Sequence, residues 1–352
     1  MTSTTAQPLL FARYPQLARI PWMSLAEVPT PVQPIALQVG GAECWIKRDD
    51  LTSQVYGGNK VRKLEFLLAH AAARGAKRLI TAGAAGSHHA LATAVFGRQT
   101  GFAVSLVLFP QPLTDHVRAV LLTDAALGAE LRFTPRMTMV PAALTGARLA
   151  YWRERIQMIP PGGSNEVGTL GYINATMELA QQIENRELPM PETIVLAIGT
   201  LGTAAGIAIG LSLLQLPVGL VATRITSKLV ANERALRGLI QKTCGLLQRH
   251  DLTVSPEDAW RRITISHDQI GPGYGQGTEK AEAARAAFQR IGLILDLTYT
   301  AKAAADFMAV AGRSRRGPVL FWHTLSASMP AVELPTPETL PPQFRAYLLG
   351  VP

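Results

Sequence analysis

A chain of 352 residues that is 48% hydrophobic can bury a large core, and its length allows two domains or one large one. The net charge of +9 comes from scattered lysines and arginines with no aromatic–basic interleave, which argues against nucleic acid and leaves a milder pull on small anions. Only two cysteines occur, Cys44 and Cys244, without a pairing motif or a nearby Cys/His cluster, so neither a disulfide scaffold nor a metal site is expected.

The first eight residues are polar and lack a secretory pattern. No uninterrupted apolar run approaches the roughly 20 residues of a membrane helix, Ile194 to Leu216 coming nearest. A cytoplasmic protein with no membrane contact is expected. From Phe11 to Pro34 prolines punctuate an irregular wrapping arm, and a strand is predicted at Cys44–Lys47. Next comes Tyr56-Gly57-Gly58-Asn59-Lys60-Val61-Arg62-Lys63, where turn chemistry precedes a helix whose apolar face is Val61, Leu64, Phe66, Leu67 and Leu68. A lysine at a helix start opposes the macrodipole, so helix design does not account for it. With Arg62 and Lys63 as cationic neighbours, Lys60 should release its proton readily and act as an amine nucleophile. Taken alone, the stretch reads equally as a solvated basic turn.

A strand at Arg78–Thr81 runs through a loop ending in Ser87-His88-His89 into an alanine-rich helix that stops near Gly101. A strand at Ala103–Phe109, a helix over about Asp115–Leu127, a strand at Glu130–Phe133 and a mixed segment to Arg155 follow. Ile156–Ile159 leads into the loop Pro160-Pro161-Gly162-Gly163-Ser164-Asn165 and a long helix over about Thr169–Asn185. Strands alternating with helices imply parallel sheets.

Thr193–Ile198 is a β-branched, aliphatic strand, followed by the small-residue loop Gly199-Thr200-Leu201-Gly202-Thr203-Ala204-Ala205-Gly206, an apolar helix and a strand at Val218–Ile225. Free backbone N–H groups at such a helix start bind a dianion, and small side chains let a phosphate approach. The loop has neither the Lys-Ser/Thr ending of a nucleotide P-loop nor the GxGxxG spacing, and close packing of a buried helix on its sheet would also explain it. A helix to about Arg249, a strand at Arg262–Ser266, the turn Gly271-Pro272-Gly273-Tyr274-Gly275 and a helix over Thr278–Ile291 come next. Beyond Asp296 the run Thr298-Tyr299-Thr300-Ala301-Lys302 opens a further helix, and the last strand, Pro318–Trp322, ends at His323-Thr324-Leu325-Ser326. The proline-rich tail from Pro330 is expected on the surface.

A reactive lysine and a phosphate cradle about 140 positions later are the two handles that pyridoxal 5'-phosphate needs, one for its aldehyde and one for its phosphate. The stretches Lys47–Thr52, Gly57–Glu65, Pro161–Asn165, Gly271–Gly275 and Tyr299–Lys302 resemble, in the same order, the family of 1-aminocyclopropane-1-carboxylate (ACC) deaminases and D-cysteine desulfhydrases. Thr300 after Tyr299, where the deaminase branch has glutamate, puts the resemblance nearer the desulfhydrases.

That resemblance implies an α/β fold of two open, twisted, mostly parallel domains like the tryptophan synthase β-subunit, fold type II of these enzymes. Residues 1–56 and 171–352 would form the large cofactor-binding domain and residues 57–170 the small one, in a homodimer. Lys60 would be the Schiff-base lysine and the base for the α-proton. Asn59 and His88 would lie against the cofactor, and Gly199, Thr200, Leu201, Gly202 and Thr203 would hold its phosphate. Ser87 would meet the substrate carboxylate or assist proton transfer, Tyr274 and Tyr299 would stand near the substrate, and Thr300 and Thr324 would lie by the pyridine nitrogen. Each of these also has an ordinary structural reading, as cap, buried aromatic or strand end. A neutral threonine at the ring nitrogen weakens the electron sink, which favours α,β-elimination from a small amino acid to a keto acid and ammonia. Racemisation, β-replacement, ACC ring opening and a non-catalytic cofactor-binding paralogue are the alternatives.

Three departures from the family pattern stand out. His88 replaces an asparagine expected to bond the ring's phenolic oxygen, and a histidine there is bulkier and titrates near neutrality. Leu201 stands where glycine is usual and is expected to narrow the phosphate's approach. Leu325 adds an apolar side chain by the pyridine edge. Together they suggest a different substrate, larger or more anionic. For His89 a packing role is expected.

Overall fold

The computed structural model describes residues 7–37, 39–314 and 317–350. Its strands are β1 (Val32–Pro34), β2 (Cys44–Arg48), β3 (Arg78–Ala84), β4 (Ala103–Phe109), β5 (Glu130–Phe133), β6 (Ile156–Met158), β7 (Thr193–Ile198), β8 (Gly219–Arg224), β9 (Ile263–Ser266) and β10 (Val319–His323). They form two sheets, a six-stranded one in the order β1-β2-β10-β7-β8-β9 and a four-stranded one in the order β5-β4-β3-β6. Every pairing is parallel except that of β1 with β2 at the outer edge. This is the parallel-type α/β architecture expected. The physical cause is visible in β7 and β10, whose residues are buried almost without interruption because helices cover both faces of the sheet.

Three helices lock together beneath the sheet junction. Helix Glu166–Glu184 lies between helix Asn59–Ala73 and helix Gly202–Leu213, and glycines set the spacing. A Cβ on Gly171 would collide with the carbonyl oxygen of Arg62, and one on Gly206 would stand 2.5 Å from Tyr172 Cβ. Buried charges tie the same helices to the sheet. Arg62 donates to Asp49 (2.7 Å) and to Glu178 (2.9 Å), and Lys47 reaches Glu178 at 2.5 Å. Tyr172 and Trp322 both donate to Asp49 Oδ2.

Several elements differ from expectation. The segment after β5 contains a helix, Val140–Ala150, and a short helix, Pro256–Arg261, precedes β9. Helix Glu166–Glu184 starts three residues early because Asn165 caps it through Gly168 N–H. The proline-rich tail does not lie wholly on the surface: Pro342–Leu349 is a helix that buries Phe344 and Leu348, with Phe344 edge-on to Phe133 at 5.4 Å. The N-terminal arm does wrap the core. Leu10 N–H donates to Asn174 Oδ1, and Leu25 and Ala26 donate to Glu65 Oε1. Among the described residues no helix is long and apolar enough to cross a membrane.

Candidate active site

In parallel sheets the strand C-termini open toward one edge, and that is where ligands bind. Here β3 ends just before Ser87, β7 just before Gly199 and β10 just before Thr324, and all three follow-on segments line one cavity of about 800 Å³. Its wall also carries Asn59, Lys60, His88, Tyr274, Tyr299 and Thr300. Residues from both sheets therefore meet in one place, and ten of the expected site residues line it: Asn59, Lys60, Ser87, His88, Gly199, Thr200, Tyr274, Tyr299, Thr300 and Thr324.

Lys60 sits in the first turn of helix Asn59–Ala73, following Gly58, whose φ of 85° suits glycine and starts the helix without a side-chain cap. Its ammonium donates to Asn59 Oδ1 at 2.6 Å, and Asn59 Nδ2 donates to Thr203 Oγ1 at 3.1 Å. Burial brings the Lys60 amine down to about 8, opposed by the Asp296 carboxylate. This corrects the expected cause. Arg62 spends its charge on Asp49 and Glu178, so it is solvent exclusion and not a cationic neighbourhood that lowers Lys60.

The cradle has the features a doubly charged phosphate requires. Helix Gly202–Leu213 has no cap from its own N-cap residue, and among the described residues the N–H groups of Thr203 and Ala204 have no acceptor. Behind it lies Lys63, buried, its amine donating to Gly162 O (3.0 Å) and Ser164 Oγ (3.4 Å) and paired with no carboxylate among the described residues. Burial and then Lys60 hold Lys63 well below its ordinary value, a cost that a bound dianion would relieve. Ser164 Oγ donates to Thr200 Oγ1 at 2.8 Å and accepts from Gly202 N–H at 3.1 Å, fixing the loop. At Gly162, with φ 67°, a Cβ would strike Thr200, and at Gly202 one would come within 3.1 Å of Lys63 Nζ. An uncapped helix start, small residues and a buried amine that a dianion would help to charge fit a phosphate.

Leu201 does not narrow that approach. Its side chain is buried in the apolar core and does not line the cavity, so the leucine fills space behind the loop. Of the expected phosphate holders, Gly202 and Thr203 likewise do not line the cavity, and the Thr203 hydroxyl accepts from Asn59 Nδ2. Leu325 does line the cavity. Ser87 Oγ accepts from Ala90 N–H at 3.3 Å, so it is a helix cap and a wall residue at once.

The tyrosines form a pair, their hydroxyls 2.5 Å apart. Burial pushes Tyr274 up to about 12 and Tyr299 well above its ordinary value, so both keep their protons. Thr300 Oγ1 donates to Asp296 Oδ1 at 2.7 Å, and Asp296 also caps the helix by accepting from Tyr299 and Thr300 N–H. Asp296 lines the cavity, yet in sequence it gave no signal beyond preceding a predicted helix. His89 bonds Thr81 Oγ1 at 2.9 Å and is buried, the packing role expected, although it too touches the cavity. His88 differs from expectation: burial first, then His116 and Lys60 against Asp296, push it down to about 3, so it does not titrate near neutrality.

Comparison with known proteins is consistent with this geometry. Residues 23–324 match the family model described as pyridoxal-phosphate dependent enzyme. The chain is 35% identical over 324 residues to a putative 1-aminocyclopropane-1-carboxylate deaminase of Pyrococcus horikoshii, covering 90% of this chain and 93% of that protein. It is 34% identical over 322 residues to a D-cysteine desulfhydrase of Salmonella newport, covering 88% and 94%. A solved structure of an ACC deaminase homologue superposes with a TM-score of 0.78 at 31% identity, covering 92% of this chain and 96% of that one. O-ureido-L-serine synthase, at 13% identity and a TM-score of 0.61 over 88% of this chain and 90% of its own, shares the fold.

Proposed function

The chain belongs to the pyridoxal-phosphate-dependent enzymes, and from that premise we propose that it is a lyase that removes the α-proton and a β-substituent from a small amino acid, releasing a keto acid and ammonia. Pyridoxal phosphate, when bound, supplies a carbonyl carbon that condenses with amines and a conjugated ring that takes up the electron pair left at Cα. The observation that carries the reading is one cavity lined both by Lys60, its amine brought to about 8, and by Gly199 and Thr200, the loop that leads into the uncapped helix Gly202–Leu213 with Lys63 behind it.

In this reading Lys60 Nζ would hold the cofactor and would be the base that receives the α-proton, and Asn59 Oδ1 accepts from it and keeps it in place. The backbone of Gly199–Thr203 and the hydroxyl of Thr200 grip the phosphate, with Lys63 and Ser164 behind them. Ser87 takes the substrate carboxylate. Of the two phenolic protons of Tyr274 and Tyr299, one is spent between the rings and the other is free to steady or protonate the departing group. Thr300 and Thr324, both on the cavity wall, would offer the ring nitrogen neutral groups, which would favour prompt expulsion of the β-substituent over racemisation. Among the described residues Lys60 is the one lysine or arginine on the cavity wall, and Phe109, Met137, Val140, Val230, Ile270 and Leu325 are apolar. An uncharged side chain therefore suits the cavity better than the anionic one considered from sequence. The division at residues 56/57 and 170/171, and a homodimer, are part of the same proposal. Light scattering on the purified protein reads the second.

Two measurements test it. Purified, cofactor-supplied protein should show a visible absorption band that Lys60→Ala removes, and absence of the band in the parent protein would refute the cofactor site. Keto acid and ammonia should be released from D- or L-amino acids carrying a β-leaving group. If spectra respond to amino acids but no keto acid forms, racemisation or simple binding takes its place.

A further inference from the structure

His88 is the largest chemical departure in the site, and its neighbours fix its state. The hydroxyl of Tyr56 lies 2.6 Å from His88 Nδ1. Tyr56 is 1% exposed, too buried to meet solvent, and burial together with Asp124 and Asp296 holds its phenol well above the ordinary value, so it keeps its proton. That proton needs an acceptor, and among the described residues His88 Nδ1 is the only atom in hydrogen-bonding reach of the Tyr56 hydroxyl. Nδ1 must therefore present its lone pair, and the ring's own proton resides on Nε2. Nε2 makes no hydrogen bond to a described residue and is not among the buried unpartnered atoms, so it retains access to the cavity that His88 lines.

We propose that Tyr56 is a positioning residue that locks His88 as the neutral Nε2–H tautomer, so that His88 offers the cavity a permanent hydrogen-bond donor and does not serve as a base. The groups facing His88 agree in keeping it neutral. His116 lies tilted against it at 4.9 Å, Tyr299 meets it edge-on at 5.9 Å, Tyr56 holds its Nδ1, and Lys60 is a nearby cation; Asp296 alone opposes them. The partner of such a donor is an oxygen carrying negative charge, either on the cofactor ring or on the substrate carboxylate. The proposal's functional half rests on the cofactor reading above, whereas its tautomer half does not.

The test is a nitrogen-15 correlation spectrum of the histidine side chains in cofactor-loaded protein, with the His88 signals identified by their loss in His88→Gln. The expected pattern is a protonated Nε2 and an unprotonated Nδ1, unchanged between about pH 5 and pH 8, where an ordinary histidine titrates. Tyr56→Phe should mix the tautomers or restore titration in that window. A protonated Nδ1 in the parent protein, or a Tyr56→Phe spectrum identical to it, would overturn the lock, and the parent spectrum decides even where the variant does not fold. His88→Phe compared with the donor-retaining His88→Gln then identifies the oxygen. A shifted visible band without substrate assigns it to the cofactor, and an unshifted band with KM raised by up to roughly tenfold assigns it to the substrate. If Phe and Gln variants match the parent in both readouts, His88 is not a donor. Absence of any visible band in the parent would instead count against the cofactor reading and leave the tautomer result standing.

Discussion

At the scale of single residues, Lys60 is governed by what surrounds its amine. With the amine brought to about 8 by burial, the neutral form grows roughly tenfold per pH unit below that value and saturates above it. Capture of pyridoxal phosphate by cofactor-stripped protein, followed by stopped-flow absorbance, should rise from pH 6 and level off past about pH 8. A rate still climbing steeply beyond pH 9 would indicate an ordinary lysine. Asp296 is the one group that raises this amine, so Asp296→Asn should move the plateau to lower pH, while the amide oxygen keeps the helix cap. Lys60 itself was legible in sequence because Gly57-Gly58-Asn59-Lys60 is an arrangement that helix propensity does not explain. The lowering of its pKa was legible too, but its cause was not, because the neutralisation of Arg62 by Asp49 and Glu178 joins residues 13 and 116 positions away.

At the scale of elements, the cofactor lysine and the phosphate cradle are held in register by the middle helix, Glu166–Glu184. Gly171→Ala should push helix Asn59–Ala73 outward and cost about 1–3 kcal/mol, read by denaturant unfolding, with cofactor affinity falling alongside. Glu178→Gln should cost more, about 3–5 kcal/mol, because Lys47 and Arg62 lose a carboxylate in a dry environment. Its pH dependence has a definite sign. Burial alone would raise Glu178, but Arg62 and Lys47 hold it down to about 2 against an ordinary 4.5. The depressed carboxyl contributes stability fully above about pH 4.5 and loses it as pH falls toward 2. Glu178→Gln should therefore flatten the acid-unfolding curve in that window.

Strands flanked by turn residues were readable one by one, and so was their parallel arrangement, except for the short antiparallel edge strand β1, which lies in the arm read as irregular. Helix Val140–Ala150 was hidden because Pro141 and Gly146 mask its periodicity, and helix Pro342–Leu349 because a proline-rich stretch surrounds two apolar contacts, Phe344 and Leu348. Leu201 misled for a different reason: a residue in a cradle motif lends its backbone to the site, while its side chain belongs to the core on the other side.

For the whole molecule, the net charge of +9 and the position of the cavity between two sheets bear on how the cofactor arrives. The cradle's charge at close range is Lys63, buried and little screened, so bound affinity should respond weakly to salt. The surplus surface charge acts over longer distances, where a screening length of about 10 Å at 0.1 M cuts it off. The two effects separate in kinetics. Raising ionic strength from about 0.02 to 0.3 M should slow association of the doubly charged cofactor several-fold and leave its dissociation rate nearly unchanged. Lys63→Met should do the reverse, speeding dissociation while preserving the salt slope of association, because it removes one buried cation from the cradle and only one charge from the surface field. Equal salt sensitivity of both rates in the parent protein would mean that the steering field and the cradle are the same charges, contrary to the burial of Lys63 behind Gly162 and Ser164.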